Sequence, residues 1–402
     1  MSVVEDPRVL LYTRIRKSPY YYASRRHGVA MYSVYNHNYH PRHYGDPVAE
    51  YWHLLNGVTL WDVGGAERQV EITGPDAFTF TNMLVPRDLN KCKVGQCKYV
   101  FVTAPDGGII NDPVLLRLGE NHFWLSLADS DVLLWAKGLA YHSGLNVTIS
   151  EPDVGPLQVQ GPRSKEVMTD LFGPSVLDIP YYYMAQYDLD GLDVVVSRTG
   201  YTSELGFEIY LRNASRDGVK LWDKVIAAGE PYDIRPIGPC HIRRIEGGIL
   251  AWGSDIGLDT NPFEVGYGYE ATWMVDLAQE ADFVGKEALT RIRDEGIDRK
   301  LVGLDIGGSP LGSYNDGSMP DFFPVFDERG ATAIGKVTSA CYSPRMERNI
   351  GFAMVPIEST ALGTRLRVER PGESVDATVV EKPFVDPEKV TPKQELRELP
   401  VG

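Results

Sequence analysis

The chain reads as an α+β protein: two related lobes, each a sheet with helices packed on it, followed by a small antiparallel β-barrel or jelly roll. Three observations predict this. At 402 residues the chain is longer than one ordinary hydrophobic core organises, so two or three domains are expected. A weak internal repeat runs through the first two-thirds. From about Leu301 the texture changes to short strands broken by tight turns.

The repeat is carried by "RQVEITGPDAFTFTNML" (68–84) and "LQVQGPRSKEVMTDLF" (157–172). Each is an alternating strand, then Gly-Pro, then an amphipathic helix. The proline suits a first helical turn, where its missing N–H costs nothing. After the first helix come the strands "CKYVFVT", "IINDPVLLRL" and "HFWLSLA", joined by "APDGG" and "GEN" turns; after the second come "YYYMAQYDL", "LDVVVSRT" and "GFEIYL". In the last third, "KLVGLDI", "PVFDERGATAIGKVTSA", "NIGFAMV", "TRLRVER" and "VDATVVE" supply the barrel strands. The final "VDPEKVTPKQELRELPVG" is polar and Pro-bearing, so a loosely attached tail is expected there.

Composition excludes several functions. Hydrophobic residues make 43% and charged residues 24% of the chain, and mean hydropathy is −0.22. No apolar run is long enough to span a membrane. "MSVVEDPRVLLYTRIRK" lacks a basic-then-apolar leader, so a cytoplasmic location is expected. A net charge of −15 disfavours nucleic acid, whose binding needs Lys and Arg to neutralise phosphates, yet leaves room for a small anionic ligand at a local basic cluster. Cys92, Cys97, Cys240 and Cys341 form no CxxC pair and no disulfide framework. G-x-G-x-x-G, P-loop, G-x-S-x-G and H-E-x-x-H signatures are absent. "HNYHPRHY" sets His37, His40 and His43 three apart, but Pro41 prevents a helix from stacking those rings and no carboxylate or thiolate stands among them. They read as polar loop residues, and no metal is expected.

Three stretches carry chemistry. In "APDGGIINDPVLLRL" (104–118) an ionisable Asp112, followed by Pro113, interrupts the point where a strand should start. An Asp before Pro often caps a turn; a carboxylate facing a pocket is the other reading. In "SRTGYTSELGFEIYL" (197–211) a polar loop carries Tyr201, Thr202 and Glu204, and Gly206 restarts a strand containing Glu208. A glutamate there can accept two parallel hydrogen bonds from an N–H/NH2 edge such as a pterin's. In "HIRRIEGGILAWGSDI" (241–256) isoleucines at helical spacing leave Arg243, Arg244 and Glu246 on other faces, and Gly247-Gly248 marks close packing or a helix end.

Taken together these stretches resemble the folate-dependent T-protein superfamily, over about residues 14–385 and in chain order. "RIRKSPY", "GVAMYSVYNH", "LWDVGGAERQVEITGPDA", "PRDL", "QCKYV", "GGIINDPV", "EPDVGPLQVQGP" and "NPFEVGYG" look most like its dimethylsulfoniopropionate demethylase branch. "RTGYTSELGFE", "RRIEGGIL" and "GKVTSACYSP…NIGFAMV" match patterns of the whole superfamily. Two departures stand out. The chain keeps a Tyr-Thr-x-Glu pattern that the demethylase lacks, with Ser203 where the glycine cleavage aminomethyltransferase usually has glycine. Its "DVGGAERQV" is unlike the aminomethyltransferase's "DVSHMGQ"-type segment.

The resemblance implies a three-domain cloverleaf around a central tetrahydrofolate channel: 14–60 with 150–245 as the first lobe, 61–149 with 246–290 as the second, 298–385 as the barrel and 386–402 as the tail. Matched residue by residue, it implies Asp112 as the catalytic group near N5 of the folate. It implies Glu204, with Tyr201 and Thr202, as the pterin holders, and Arg244 and Glu246 as site-lining members of an Arg-x-Glu helix. Tyr99 falls where an aromatic meets the substrate, and Trp61 and Trp252 are further aromatic candidates for a sulfonium or methylated amine. The implied activity is methyl transfer from a small organic donor to tetrahydrofolate. The alternatives are an aminomethyltransferase, which needs a lipoyl carrier protein, an aryl O-demethylase, and a folate-binding protein without turnover.

Overall fold

A computed structural model describes residues 13–269, 271–312, 322–329 and 332–398. The expectation of no leader, and the last four residues of the predicted tail, fall outside them.

The repeat is realised in register. Gln69–Thr73 leads through Gly74-Pro75 into the helix Ala77–Leu84, and Val154–Gln160 leads through Gly161-Pro162 into Ser164–Phe172. Both prolines stand just ahead of the helix, outside its first turn. Each unit seeds its own sheet. The first sheet orders Met184–Leu189, Leu192–Ser197, Gly206–Arg212, Val154–Gln160, Thr59–Asp62 and Arg235–Pro236, all antiparallel except the last pair. The strand Thr59–Asp62 lies wholly in this sheet, so the lobe boundary expected at 60/61 cuts through a strand. The second sheet orders Thr148–Ser150, Gln69–Thr73, His122–Ser126, Val114–Gly119 and Cys97–Tyr99.

Strand alternation sends one face of each sheet under its helices. In the first, Leu157, Val159, Val194, Val196 and Ile209 pack with Val167, Met168, Leu221 and Trp222. In the second, Val70, Ile72, Phe123 and Leu125 pack with Phe80, Leu84, Val132 and Ala136. The opposite faces meet through a small cluster of Cys97, Leu116, Trp124, Val195 and Tyr210. Six strands between Arg299 and Val380 close into an antiparallel barrel, as the barrel alternative predicts. A third core, containing Trp61, Phe101, Ile242, Ile245, Leu250, Phe263, Cys341 and Phe352, joins both lobes to it.

Two expectations change. "CKYVFVT" and "IINDPVLLRL" are each split: Cys97–Tyr99 and Val114–Gly119 pair in the second sheet, while Val102–Thr103 and Ile109–Asn111 form a separate ribbon. Asp112-Pro113 is the joint between ribbon and sheet. The described part of the tail, in turn, is pinned rather than loose. Leu396 is buried in the first lobe's core, Arg198 donates to the carbonyl of Pro392 at 2.8 Å, Arg397 pairs with Asp178, and Val385 N–H donates to the Glu246 carbonyl at 2.9 Å. One leucine and a set of backbone contacts suffice where composition shows little to bury.

No helix among the described residues is long and apolar enough to cross a membrane. No group of three or more His, Cys, Asp or Glu side chains among them is placed to hold a metal. His40 is not a loop residue: it is buried on the strand Asn38–His43, where burial lowers its pKa to about 3 and keeps the ring neutral.

Candidate active site

A cavity of about 800 Å³ opens where the two lobes and the barrel meet. Its chemistry divides between two poles.

The first pole is Asp112. The joint between ribbon and sheet frees its side chain from the ladder and turns it to the cavity wall. Its Oδ2 accepts from the Tyr99 hydroxyl at 3.0 Å; its Oδ1 is buried and has no hydrogen-bond partner among the described residues. Burial, opposed by the Tyr99 hydrogen bond and reinforced by Asp255, pushes the Asp112 pKa up to about 7. Tyr35, Tyr201 and Tyr267 line the same cavity and sense this charge: each phenol is raised first by burial, and the Asp112 charge adds to it. Tyr99 and Tyr267 meet edge-on with centroids 6.2 Å apart, and the Tyr201 hydroxyl is fixed on the Leu250 carbonyl at 2.9 Å. A part-buried carboxylate is thus walled by four phenol rings.

The second pole is a floor built by strand register. Across the first sheet, Trp61 pairs with Gln158, Gln158 with Glu208, and Glu208 with Ser197. Because side chains alternate, these residues share the face opposite the helix-covered core. The Gln158 amide nitrogen donates to Glu208 Oε1 at 2.7 Å and to Glu67 Oε1 at 2.8 Å, leaving Gln158 Oε1 buried without a partner. Glu67 Oε2 accepts from Ser126 at 3.1 Å, and Glu208 Oε2 accepts from Tyr210 at 2.8 Å and from Thr199. No cation pairs with either carboxylate among the described residues. Burial raises both pKa values, and Glu208's charge raises Glu67 further. This floor offers acceptors, so it fits a ligand edge made of N–H and NH2 donors.

Elsewhere on the cavity wall Arg244 ties the helix His241–Glu246 to the barrel. It donates to Asp255 at 2.6 Å, to Ser339 at 2.6 Å and to the Ile249 carbonyl at 3.2 Å. Asp255 also accepts from Thr338 at 2.6 Å, Ser339 at 2.7 Å and Ala251 N–H at 3.0 Å. Arg244 therefore lines the cavity with its charge already matched. Trp61 is buried, its indole N–H on Thr59 Oγ1 at 2.9 Å, and Trp252 is held by the Ile109 carbonyl at 3.4 Å; both line the cavity.

Three expected cofactor contacts lie elsewhere. Glu204 is paired with Arg243 at 2.7 Å. Thr202 is fully buried, its hydroxyl on Gln160 Oε1 at 2.7 Å. Glu246 is fully buried, accepting from Tyr51 and Ser343 at 2.7 Å each, with Arg345 at 3.4 Å. None of the three lines the cavity. Their partners come from distant parts of the chain, which is why the motif alone suggested contact. This network closes on the paired glycines: a Cβ on Gly247 would lie 2.4 Å from Ser203 Oγ, and one on Gly248 2.8 Å from Pro383. Ser203 itself adopts φ +54°, the left-handed region that explains a usual glycine there. The cavity-floor residues that the sequence reading does not single out as contacts are Glu67, Gln158 and Glu208. For Gln158 and Glu208 the available signal is a polar residue at alternate positions inside apolar strands, in "LQVQ" and "GFEIYL"; Glu67 lies in a bend and carries no such signal.

Comparison with known proteins agrees with this geometry. Residues 20–278 match the GCVT N-terminal domain and residues 299–386 the glycine cleavage T-protein C-terminal barrel domain. The dimethylsulfoniopropionate demethylase of Ruegeria pomeroyi is 36% identical over 368 residues, covering 92% of this chain and 97% of the relative. The aminomethyltransferase of Alkaliphilus oremlandii is 30% identical over 381 residues, covering 92% and 98%. The crystal structure of the glycine cleavage system aminomethyltransferase T from Bartonella henselae shares the fold, with a TM-score of 0.80 at 24% identity over 92% of this chain and 98% of that one. The body and the closing barrel both match family models, and the chain belongs to the glycine cleavage T-protein family.

Proposed function

We propose that the chain is a methyltransferase that moves a methyl group from a small cationic donor, a sulfonium or a methylated amine, to N5 of tetrahydrofolate. Membership of the family makes tetrahydrofolate its cofactor and one-carbon transfer its reaction class. The residues fit that group. The acceptor floor of Glu67, Gln158 and Glu208 suits the donor edge of a pterin, and Asp112 Oδ1 is an unused acceptor in the same cavity.

One observation carries the choice of donor: a carboxylate walled by four phenol rings. An onium methyl is drawn both to ring faces and to a nearby negative charge, so this wall holds a cation better than a neutral methoxy group. Tetrahydrofolate, when bound, supplies the N5 nucleophile that takes up the one-carbon unit. Tyr99 holds Asp112 Oδ2, which leaves Oδ1 to take the proton that N5 would release as the donor's C–S or C–N bond breaks and the donor leaves as a neutral sulfide or amine. Glu208 and Gln158 fix the pterin, and holding both reactants in one cavity supplies much of the acceleration. Arg244, matched by Asp255, keeps the 249–255 turn against the barrel and so holds Trp252 in the wall.

The test is a donor screen with anaerobic tetrahydrofolate, read by the mass of the folate product. We expect 5-methyltetrahydrofolate from dimethylsulfoniopropionate or a methylated amine. A methylene product formed only with an aminomethylated lipoyl carrier protein would make the chain an aminomethyltransferase instead. Turnover of a methoxy-aromatic alone would make it an O-demethylase.

A further inference from the structure

The cavity has a third chemical region that neither pole uses. After the last barrel strand, Glu373–Val380, the chain crosses back over the first lobe, and two lysines of this strap, Lys382 and Lys389, line the cavity. Lys382 Nζ sits 3.7 Å from where a Cβ on Gly266 would stand. It makes no hydrogen bond or ion pair with another described residue. The charges it senses are Lys300, which repels it, and Asp255, whose oxygens are already held by Arg244, Thr338, Ser339 and the Ala251 N–H. Burial accordingly lowers its pKa to about 8. Lys389 is held by neutral acceptors, Ser203 Oγ at 2.7 Å and the Gly247 carbonyl. Lys389 also lies beyond residue 386, where the match to the family's barrel domain ends.

A part-buried ammonium without a counter-ion carries a desolvation cost that an arriving anion relieves. The cavity therefore has acceptors at its floor and two ammonium groups on the strap that lines its wall. A molecule that matches this polarity carries a donor-rich heterocycle at one end and a carboxylate at the other. In a chain of net charge −15, such an anion must be captured by local cations.

We propose that Lys382, supported by Lys389, forms a carboxylate subsite for the glutamyl end of the folate, while Glu67 and Glu208 on the floor read the pterin. This rests on the folate reading above.

The experiment is anaerobic calorimetry without methyl donor, using tetrahydrofolate, its glutamyl diamide, and 6-methyltetrahydropterin, which lacks the tail. Wild type should bind tetrahydrofolate at least tenfold more tightly than the diamide, a comparison that needs no variant. Lys382→Met should abolish that difference, leave the pterin's affinity unchanged, and raise the Tm of the ligand-free protein by removing an unmatched, part-buried charge. Lys382→Arg should keep most of the discrimination. Equal wild-type affinity for tetrahydrofolate and its diamide would overturn the subsite while leaving the folate reading intact. So would a Lys382→Met effect confined to the KM of the methyl donor, which would assign the ammonium to the donor's own carboxylate. Failure of wild type to bind tetrahydrofolate and the pterin alike would remove the folate reading and the subsite with it.

Discussion

Glu204 and Glu208 stand four residues apart on one loop-and-strand stretch, yet they end in opposite electrostatic situations. Glu204 faces Arg243 at 2.7 Å, within a network that also contains Glu246 and Arg345. Its charge is matched by the protein. Glu208 has neutral partners only, Gln158, Tyr210, Thr199 and Ser197, and shares Gln158 with a second carboxylate, Glu67. Its charge is unmatched, and it lies on the cavity floor. The lesson is that a motif glutamate is assigned by what neutralises it. Where an arginine of the same chain does so, the carboxylate holds the fold together; where only neutral donors and a like charge surround it, the carboxylate is left with acceptor capacity that the proposed folate would use.

The same contrast extends to Asp112, the other unmatched carboxylate, and there the largest effect is expected. Asp112→Asn should lower turnover by about 10³-fold, within the usual range for a general base, while tetrahydrofolate affinity changes little. Because burial raises its pKa to about 7, the working carboxylate form dominates above that pH. Wild-type kcat/KM should therefore fall as pH drops through about 7 and level off above it, and the variant should lose this limb. Unchanged turnover would remove Asp112 from the chemistry.

Glu204→Gln tests the matched member. It leaves Arg243 without its closest counter-charge, so it should cost about 2–3 kcal/mol of stability, below the usual range for a broken buried pair because Glu246 remains 3.9 Å away and the Ser203 carbonyl still accepts. Urea unfolding would read this. A variant as stable as wild type but unable to bind folate would reverse the comparison.

The smallest effect sharpens the floor. Glu67→Gln removes the like charge interacting with Glu208 and should make the Glu208 carboxylate easier to ionise. Folate affinity, which needs the Glu208 carboxylate, should then persist to lower pH than in wild type. Calorimetry across pH 5–8 would show the shift; no shift would mean the two carboxylates do not interact.

Much of the architecture was legible in the sequence, because it rests on local pattern. The repeat fixed two equivalent strand–Gly-Pro–helix units, the dense turns marked the barrel, and the break at Asp112-Pro113 marked a side chain released from the ladder. What escaped depends on distant partners. Nothing near "SELGFE" says that Arg243 will claim Glu204. Only the pairing of Gln158 with Glu208 sets the latter on the cavity floor. The pinned tail escapes local pattern for the same reason: Leu396 and the carbonyl of Pro392 are held by residues about two hundred positions earlier. The hairpin Met31–Tyr35 and Asn38–His43 brings Tyr35 and buried His40 to the cavity wall from a stretch that reads as polar loop.

The central claim, that Glu208 and not Glu204 reads the folate, is tested most directly by titrating tetrahydrofolate anaerobically into wild type, Glu208→Gln and Glu204→Gln side by side, each confirmed folded. Saturable binding is expected in wild type and in Glu204→Gln, with affinity lost or reduced at least a hundredfold in Glu208→Gln. Loss of binding in Glu204→Gln together with normal binding in Glu208→Gln would contradict it.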